Sequence, residues 1–555
     1  MITLKQRDLR REISGKLIFL SIAIGPIAMT PWWNFDPINL PRLYLVVLVG
    51  SLMSWLGLLN QRNNFSKRYF RRHALPLFLI VLCIFFMTIS FFFSGPNLTM
   101  QFYGTQGRNT GYLAYASLML LLLGFTLSSP QLNSRSLKLA VGFSGISNLL
   151  YGVAQSQGID FVDWQNPYGP VVGMLGNPNF ISAFMGLFAI FLASLLFWKQ
   201  QSSLISICAL ATLICSLYLI MKTNSIQGIF VFMTGLFTLI FMRINLKSRI
   251  SLLLVPIFFF SVSVASLGLA GKGPLGDFLF QSTLKVRYFF WTTAWKMTME
   301  KPLLGFGWDS FGDWYRSKRG PDIIELYGPG LTTNSAHNMF LDIGVSGGAI
   351  CMLLMLFTCL WIVYRGIRYK IVVKEVSWIL AASFSIWIGF LSQTLISVNN
   401  LAIALWGFTF GGLVICMTNS QFEVNTTSER ITRNNSVTIM LGFSLIIATV
   451  SIIVIPALYN DAKFRQSLVS ARGDEVIRSV ERFPQSDFRL TVAARIFYRN
   501  SKLDLADNLA REAISINPRN REAWASLLLN PSLSIKERDL IKLKLKELDP
   551  YMPNE

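Results

Sequence analysis

The chain has 555 residues, of which 52% are hydrophobic and only 14% charged, and its mean hydropathy is +0.48. This composition excludes a disordered chain and an ordinary soluble enzyme. The formal net charge of +21 would indicate a nucleic-acid partner in a soluble protein, but in a membrane protein it marks cytoplasmic loops. The six cysteines lie in apolar runs without metal or redox spacing, and His73 and His337 are the two histidines, which excludes a histidine-rich metal site.

Apolar runs long enough to cross a bilayer recur along most of the chain. A transmembrane helix needs about 20 mostly apolar residues, because every backbone polar group must be paired inside the segment. The sequence predicts about thirteen spans, near residues 16–33, 41–59, 75–94, 112–128, 137–155, 180–198, 203–221, 228–242, 250–270, 338–364, 377–396, 399–417 and 437–457. We therefore predict an all-α fold, a polytopic membrane helix bundle of about 12–13 spans.

Basic residues alternate between the loops, as the positive-inside rule requires. The N-terminal segment and every second loop are rich in Lys and Arg, whereas the short loops between them carry only Arg42, Arg108 and Lys222. This pattern predicts a cytoplasmic N-terminus. With an odd number of spans, the C-terminus then lies outside.

Two segments interrupt the apolar rhythm: a long external loop over 271–337 and a charged tail over 458–555. In the tail, an amphipathic stretch ends every 32 to 34 residues at a dipeptide that contains proline, namely Phe483-Pro484, Asn517-Pro518 and Asp549-Pro550. The junction 517–524 resembles that between tetratricopeptide units. We expect a membrane domain at 1–457 and a soluble tetratricopeptide-like domain at 458–555, with an unrelated small helical domain as the alternative.

Polar residues of the outer loops are the candidates for function, because such groups are costly near membrane depth. Arg108 could hold a phosphate through two parallel hydrogen bonds, or could reach lipid headgroups. Asn177 and Asn179 precede an apolar helix, where they could cap it or contact a sugar or phosphate. Lys222 and Gln227 flank another helix start, which favours anions.

His337 is the one histidine predicted on the outer side, at the start of the tenth span. An imidazole titrates near neutrality and could accept a proton from an attacking hydroxyl. By residue type alone, a histidine at a helix start is more often a cap or a structural hydrogen-bond partner.

Three motifs follow each other around the external loop. They are Arg287-Tyr288-Phe289-Phe290-Trp291, Lys301-Pro302-Leu303-Leu304-Gly305-Phe306-Gly307 and His337-Asn338-Met339-Phe340-Leu341. In this order, and with the loop Gly176-Asn177-Pro178-Asn179, the chain resembles the O-antigen ligase and polymerase superfamily of bacterial membrane glycosyltransferases.

The resemblance implies transfer of a glycan from an undecaprenyl diphosphate carrier to an acceptor hydroxyl at the outer face of the bacterial cytoplasmic (inner) membrane, with no metal or other cofactor. It assigns the general base to His337 and a diphosphate-binding role to Arg287. Many members also have a Ser-Arg-Gly where residues 225–228 read Ser-Ile-Gln-Gly, so one phosphate-binding arginine is missing. Lys222 or Arg108 could replace it, and Asn177, Asn179, Asn338 and Gln227 are candidate substrate contacts.

Ligation is the leading function under this resemblance, and the acceptor would be a lipid, a glycan or a protein. A polymerase of the same superfamily is the alternative within the class. A transporter or flippase of lipid-linked glycans is the alternative of another class, since the number of spans suits either. The expected partners are membrane lipids, the carrier-linked donor and a protein bound through the tail, and no nucleic acid is expected.

Overall fold

The computed structural model describes residues 2–61, 67–128, 133–164, 169, 171–198, 202–244, 282–373, 375–420 and 434–552. Their regular structure is entirely helical, which confirms the predicted all-α class. The predicted span at 250–270 and the first part of the predicted external loop lie outside these residues.

The helices before the tail are arranged along the chain with short connections, apart from the segments outside the described residues. They are α1 Ile2–Ile24, α2 Asn39–Gln61, α3 Lys67–Phe93, α4 Leu98–Tyr103, α5 Tyr112–Leu127, α6 Ser134–Ser156, α7 Pro178–Phe197, α8 Ser203–Lys222, α9 Gln227–Arg243, α10 Ser282–Glu300, α11 Phe311–Lys318, α12 Pro321–Tyr327, α13 Met339–Val372, α14 Trp378–Thr394, α15 Leu401–Ser420 and α16 Asn434–Ser470. A 3₁₀ turn at Gly173–Leu175 precedes α7.

Eight of the described helices are long and apolar enough to cross a membrane, namely α2, α3, α6, α7, α8, α13, α15 and α16. Three shorter apolar helices, α5, α9 and α14, pack among them. Together they enclose one continuous apolar core. The chain is therefore a multi-pass membrane protein, as its hydropathy predicts.

Two sequence-based boundaries differ from the structure. Within the predicted span 16–33, the helix ends at Ile24. Gly25 and Pro26 follow directly and Pro31 comes soon after, and proline cannot donate an intrahelical hydrogen bond. The external loop, predicted only as a break in the apolar rhythm, contains the helices α10, α11 and α12. They enclose an apolar core of their own.

Helix α13 is interrupted at Gly348, and the turn at 301–307 packs against this interruption. Gly348 has φ +85°, and a Cβ there would lie 2.6 Å from the Pro302 carbonyl oxygen. The Ala349 amide donates to that oxygen at 2.7 Å, and the Phe306 amide donates to the Val345 carbonyl at 2.7 Å. Gly305 approaches equally closely, since its Cβ would lie 2.4 Å from the Ser346 carbonyl. The glycines of the turn are thus needed where two backbones meet.

The tail adds five helices: α17 Gly473–Val480, α18 Asp487–Arg499, α19 Leu503–Ile516, α20 Arg521–Leu527 and α21 Ile535–Leu548. They pack around a second apolar core that begins at Phe464. The change of composition near Tyr459 coincides with no break in the helix, since α16 continues to Ser470. The domain boundary at 458 and the tetratricopeptide-like character of the tail remain predictions.

A buried carboxylate fastens the tail to the external loop. Asp549 accepts from Arg319 at 2.7 Å and from Arg316 at 2.8 Å, and its side chain and that of Arg319 are both fully buried. Both arginines belong to the segment around α11, so the cluster joins the chain end to a loop more than 200 residues away. The tail and this loop consequently lie on the same side of the helix bundle.

We expect Asp549→Ala to release the tail, because it leaves the Arg319 charge buried without a counter-charge, at a cost of about 3–5 kcal/mol. Limited proteolysis in detergent, with thermal unfolding alongside, measures the effect. Glu547→Gln is the matched control, because Glu547 pairs with Lys544 at the surface and should change stability by less than about 1 kcal/mol. Equal protease resistance of the two variants would contradict the anchoring role.

Candidate active site

A cavity of about 910 Å³ opens at the end of the bundle that carries the external loop and the tail. Its walls come from the connections that follow α1, α4, α6 and α12, from the start of α11, and from the tail. Of the predicted site residues, His337, Arg108, Asn177 and Asn179 line it. Arg287, Lys222, Asn338 and Gln227 do not belong to its lining.

A hydrogen-bonded turn presents His337 to the cavity. His337 has φ +55°, and its amide donates to the Ser335 hydroxyl at 3.0 Å. Asp342, in the first turn of α13, accepts from the Ser335 hydroxyl at 2.6 Å and from the Ala336 amide at 2.8 Å. The carboxylate of Asp342 therefore fixes the backbone on which the imidazole stands.

Asn338 has a structural function in this turn. Its side-chain oxygen accepts from the amides of Phe340 and Leu341 at 3.0 and 3.2 Å, which caps α13. Its side-chain nitrogen donates to the Leu395 carbonyl at 3.0 Å. Both polar groups of Asn338 are thus engaged within the protein, and the substrate contact suggested for it stays a prediction.

The imidazole of His337 stacks on the ring of Phe290 at a centroid distance of 5.7 Å. Among the described residues, no hydrogen bond engages its ring nitrogens. Burial, together with the positive charges of Arg287 and Arg108, lowers the pKa of His337 to about 3. The ring is therefore neutral near pH 7 and keeps a lone pair that can accept a proton.

Arg287 supplies a positive charge next to His337. It lies on α10, one turn before Phe290, whose ring stacks on the imidazole of His337. Within the described residues, Arg287 has no carboxylate partner. Burial lowers the pKa of Arg287 to about 10, so the guanidinium is still charged near neutral pH. A half-buried cation without a counter-ion favours the arrival of an anion.

Arg108, by contrast, is neutralised by the protein. Its guanidinium lies 2.9 Å from Asp309 and 4.0 Å from Asp342, and it donates to the Thr110 hydroxyl at 3.2 Å and to the Asn334 carbonyl. Burial acts to lower the pKa of Arg108, and the two carboxylates more than offset this and raise it. Its contacts tie three loops together, and the phosphate contact suggested for it stays a prediction.

Asn177 and Asn179, at the start of α7, also line the cavity. Asn177 caps the helix by accepting from the Asn179 amide at 2.9 Å, and Asn179 accepts from the Ser225 hydroxyl at 2.7 Å. Among the described residues, their side-chain NH₂ groups have no acceptor. These four N–H bonds are free to donate into the cavity.

Lys222 and Gln227 lie away from the cavity lining. Lys222 is exposed, with its ammonium 5.4 Å from the centre of the Tyr218 ring. Gln227 is 4% exposed, and neither polar atom of its side chain has a partner among the described residues. Gln393 has the same two orphan atoms.

The two glutamines lie at the same level of neighbouring antiparallel helices. Gly235 of α9 approaches Ser385 of α14, and Gly389 of α14 approaches Val231 of α9. One further turn along each helix, in opposite directions, reaches Gln227 and Gln393. A pair of buried amides without hydrogen-bond partners in the described part of the chain thus lies where α9 begins and α14 ends, beside the 225–228 segment.

The sequence analysis did not single out Asp309 or Asp342. Asp342 carried a usable signal, since it is a carboxylate in an apolar span five residues after His337. Asp309 carried none, because its partners Thr105 and Arg108 are about 200 residues away. The tail wall of the cavity was also missed, because composition alone indicates a separate unit.

Comparison with known proteins adds one positive finding. Residues 181–356 match the protein family described as O-antigen ligase, whereas a comparison with curated proteins gave no match. The matched region begins in α7 and ends in α13, and it contains Arg287, His337 and the broken helix at Gly348. Residues 181–356 are therefore similar to an O-antigen ligase domain, and this match supports the resemblance to the O-antigen ligase superfamily.

Proposed function

We propose that this protein transfers a glycan from undecaprenyl diphosphate to an acceptor hydroxyl, at the outer face of the bacterial inner membrane and without a metal or other cofactor. The observation that carries the proposal is the neutral imidazole of His337, which lies on a cavity wall and whose ring has no hydrogen bond among the described residues. Beside it lies Arg287, which has no carboxylate partner in the described part of the chain. The O-antigen ligase match supports the same reaction class.

In the proposed reaction, a ring nitrogen of His337 takes the proton of the acceptor hydroxyl as its oxygen attacks the anomeric carbon. The new C–O bond forms while the bond from that carbon to the diphosphate oxygen breaks, and the carrier diphosphate leaves with the bonding electron pair. A positioned base contributes about 10²–10⁴ in rate. Arg287 stabilises the charge that develops on the leaving group, which is where a fixed cation is most effective.

Donor binding adjusts the strength of this base. In the free protein, the cations Arg287 and Arg108 disfavour the imidazolium form of His337. A bound diphosphate brings negative charge that opposes their field, and the pKa of His337 rises accordingly. The histidine becomes a stronger base only when the donor is in place.

The position of the cavity favours an enzyme over a transporter. Its polar groups gather at one end of the helix bundle, whereas a transporter needs a polar site near the bilayer midplane. Ligation and polymerisation share the chemistry above and differ only in the acceptor. A polymerase therefore remains the alternative within the class.

We expect His337→Asn to lower the transfer rate by about 10²–10⁴ while the protein keeps its fold and donor affinity. Asparagine tolerates the positive φ of this position, so the turn is preserved and only the base is lost. The assay uses purified protein with carrier-linked glycans extracted from the source cells. His73→Gln is the control, because His73 lies about 30 Å from the cavity end of α3; a wild-type rate in His337→Asn would rule out the base.

Arg287→Gln should reduce kcat by about 10²-fold and move the acid limb of the kcat/KM profile to higher pH. The sign follows from the charge: a cation beside His337 lowers its pKa, so its removal raises that pKa and the base becomes protonated at a higher pH. Lys285→Gln is the matched control, an exposed cation on the same helix. An unchanged acid limb in Arg287→Gln would contradict the coupling of the two residues.

A further inference from the structure

The tail is a wall of the cavity that contains His337. It contributes fourteen of the 42 lining residues. Five of them follow one face of α18, where residues four apart are neighbours: Asp487, Phe488, Thr491, Val492 and Arg495. Residues 519–522, at the start of α20, continue the same wall.

This wall is held rigidly against the external loop. The guanidinium carbon of Arg519 lies 3.6 Å from the centre of the Trp314 ring, and its Nε donates to the Asp313 carbonyl at 3.1 Å. The side chain of Asn517 donates to Asp313 at 3.1 Å and to Asp487 at 2.9 Å. The position of the tail wall relative to His337 is therefore fixed by these side-chain contacts with the external loop.

The charges around the cavity balance. Six arginines and six aspartates or glutamates line it, with no lysine among them. A polyanion or a polycation would meet as many repulsive as attractive groups there. A ligand that is uncharged and rich in hydroxyl groups suits such a lining, because each hydroxyl both donates to carboxylates and accepts from guanidinium and amide groups.

The tail wall itself has the composition of a saccharide site. Ten of its fourteen lining residues are polar or charged, whereas pockets for drug-like ligands or apolar side chains are predominantly apolar. Phe488 lies among them with 40% of its surface exposed, and such an aromatic face can cover the C–H face of a sugar ring. Arg489, 4% exposed, also lines the cavity, and its Nε has no acceptor among the described residues.

From these observations we infer that the tail forms a subsite for an uncharged saccharide, continuous with the site at His337. The ligand class rests on the proposed function. The saccharide would belong either to the carrier-linked donor or to a glycan acceptor, and both present the same hydroxyl chemistry. The tail thereby forms part of the substrate-binding cavity, in addition to any role in recruiting a protein partner.

The test measures binding without turnover, on the full chain in lipid nanodiscs. The probe is the free saccharide that mild acid releases from the carrier-linked glycans of the source cells, and calorimetry gives its affinity. The double variant Phe488→Ala/Arg495→Ala should bind it about tenfold more weakly, while the affinity for inorganic pyrophosphate stays within about twofold of the wild type.

The matched control is Phe483→Ala/Arg499→Ala, which removes an exposed ring and an exposed guanidinium of the same tail outside the cavity lining. Equal saccharide affinity in the two double variants overturns the subsite. Unchanged saccharide affinity with loss of an acceptor peptide overturns it in favour of a peptide site. Thermal unfolding of both double variants checks that they are folded, so that a loss of affinity can be assigned to the removed side chains.

Kinetics then identify the source of the saccharide. A higher KM for the carrier-linked donor alone assigns the subsite to the donor glycan, and a higher KM for a saccharide acceptor alone assigns it to the acceptor. Either result supports the subsite. Transfer at the wild-type rate in His337→Asn would contradict the proposed function but would leave the saccharide-binding result unchanged. A failure of the proposed function and a failure of the subsite are therefore distinguishable.

Discussion

The ion pair of Arg108 with Asp309, flanked by Asp342, is the interaction on which the cavity depends. Asp309 follows the 301–307 turn, Asp342 opens α13, and Arg108 belongs to the loop before α5. One guanidinium therefore holds three segments that are separate in sequence. Because a buried charge cannot lose its partner without a cost of several kcal/mol, the three segments keep their arrangement as a unit. His337 lies in the chain between Asp309 and Asp342, so its position is fixed by the same ion pairs.

This network divides the two outer arginines by function. The guanidinium of Arg108 is paired with carboxylates of the protein, while its Nε has no partner among the described residues. Arg287 has no carboxylate partner within the described residues, so its charge favours an incoming anion. Residues 225–228, where the resemblance implies a phosphate-binding arginine, read Ser-Ile-Gln-Gly, and its replacement by Arg108 or Lys222 stays a prediction. The orphan amides of Gln227 and Gln393 mark the polar groups that the fold leaves near that position.

Features that depend on local sequence were predictable, and features that depend on distant pairing were not. Apolar runs of about 20 residues revealed the membrane helices because burial in lipid demands them, although Gly25 and Pro26 ended α1 earlier than hydropathy indicated. His337 and Arg287 could be named from motifs. The roles of Asp309 and Asp549 could not, because their partners lie some 200 residues away, and no periodicity records such a pairing.

The charge state of His337 connects the membrane domain with the tail. A histidine kept neutral by Arg287 and by burial is a weak base in the empty cavity, and it gains strength only when an anion offsets the neighbouring cation. If the tail wall binds the sugar while Arg287 binds the diphosphate, the two sites hold the groups on either side of the bond that the reaction breaks. Proton abstraction is then coupled to complete occupation of the cavity, and the resting enzyme does not activate water or a stray hydroxyl before both substrates are in place.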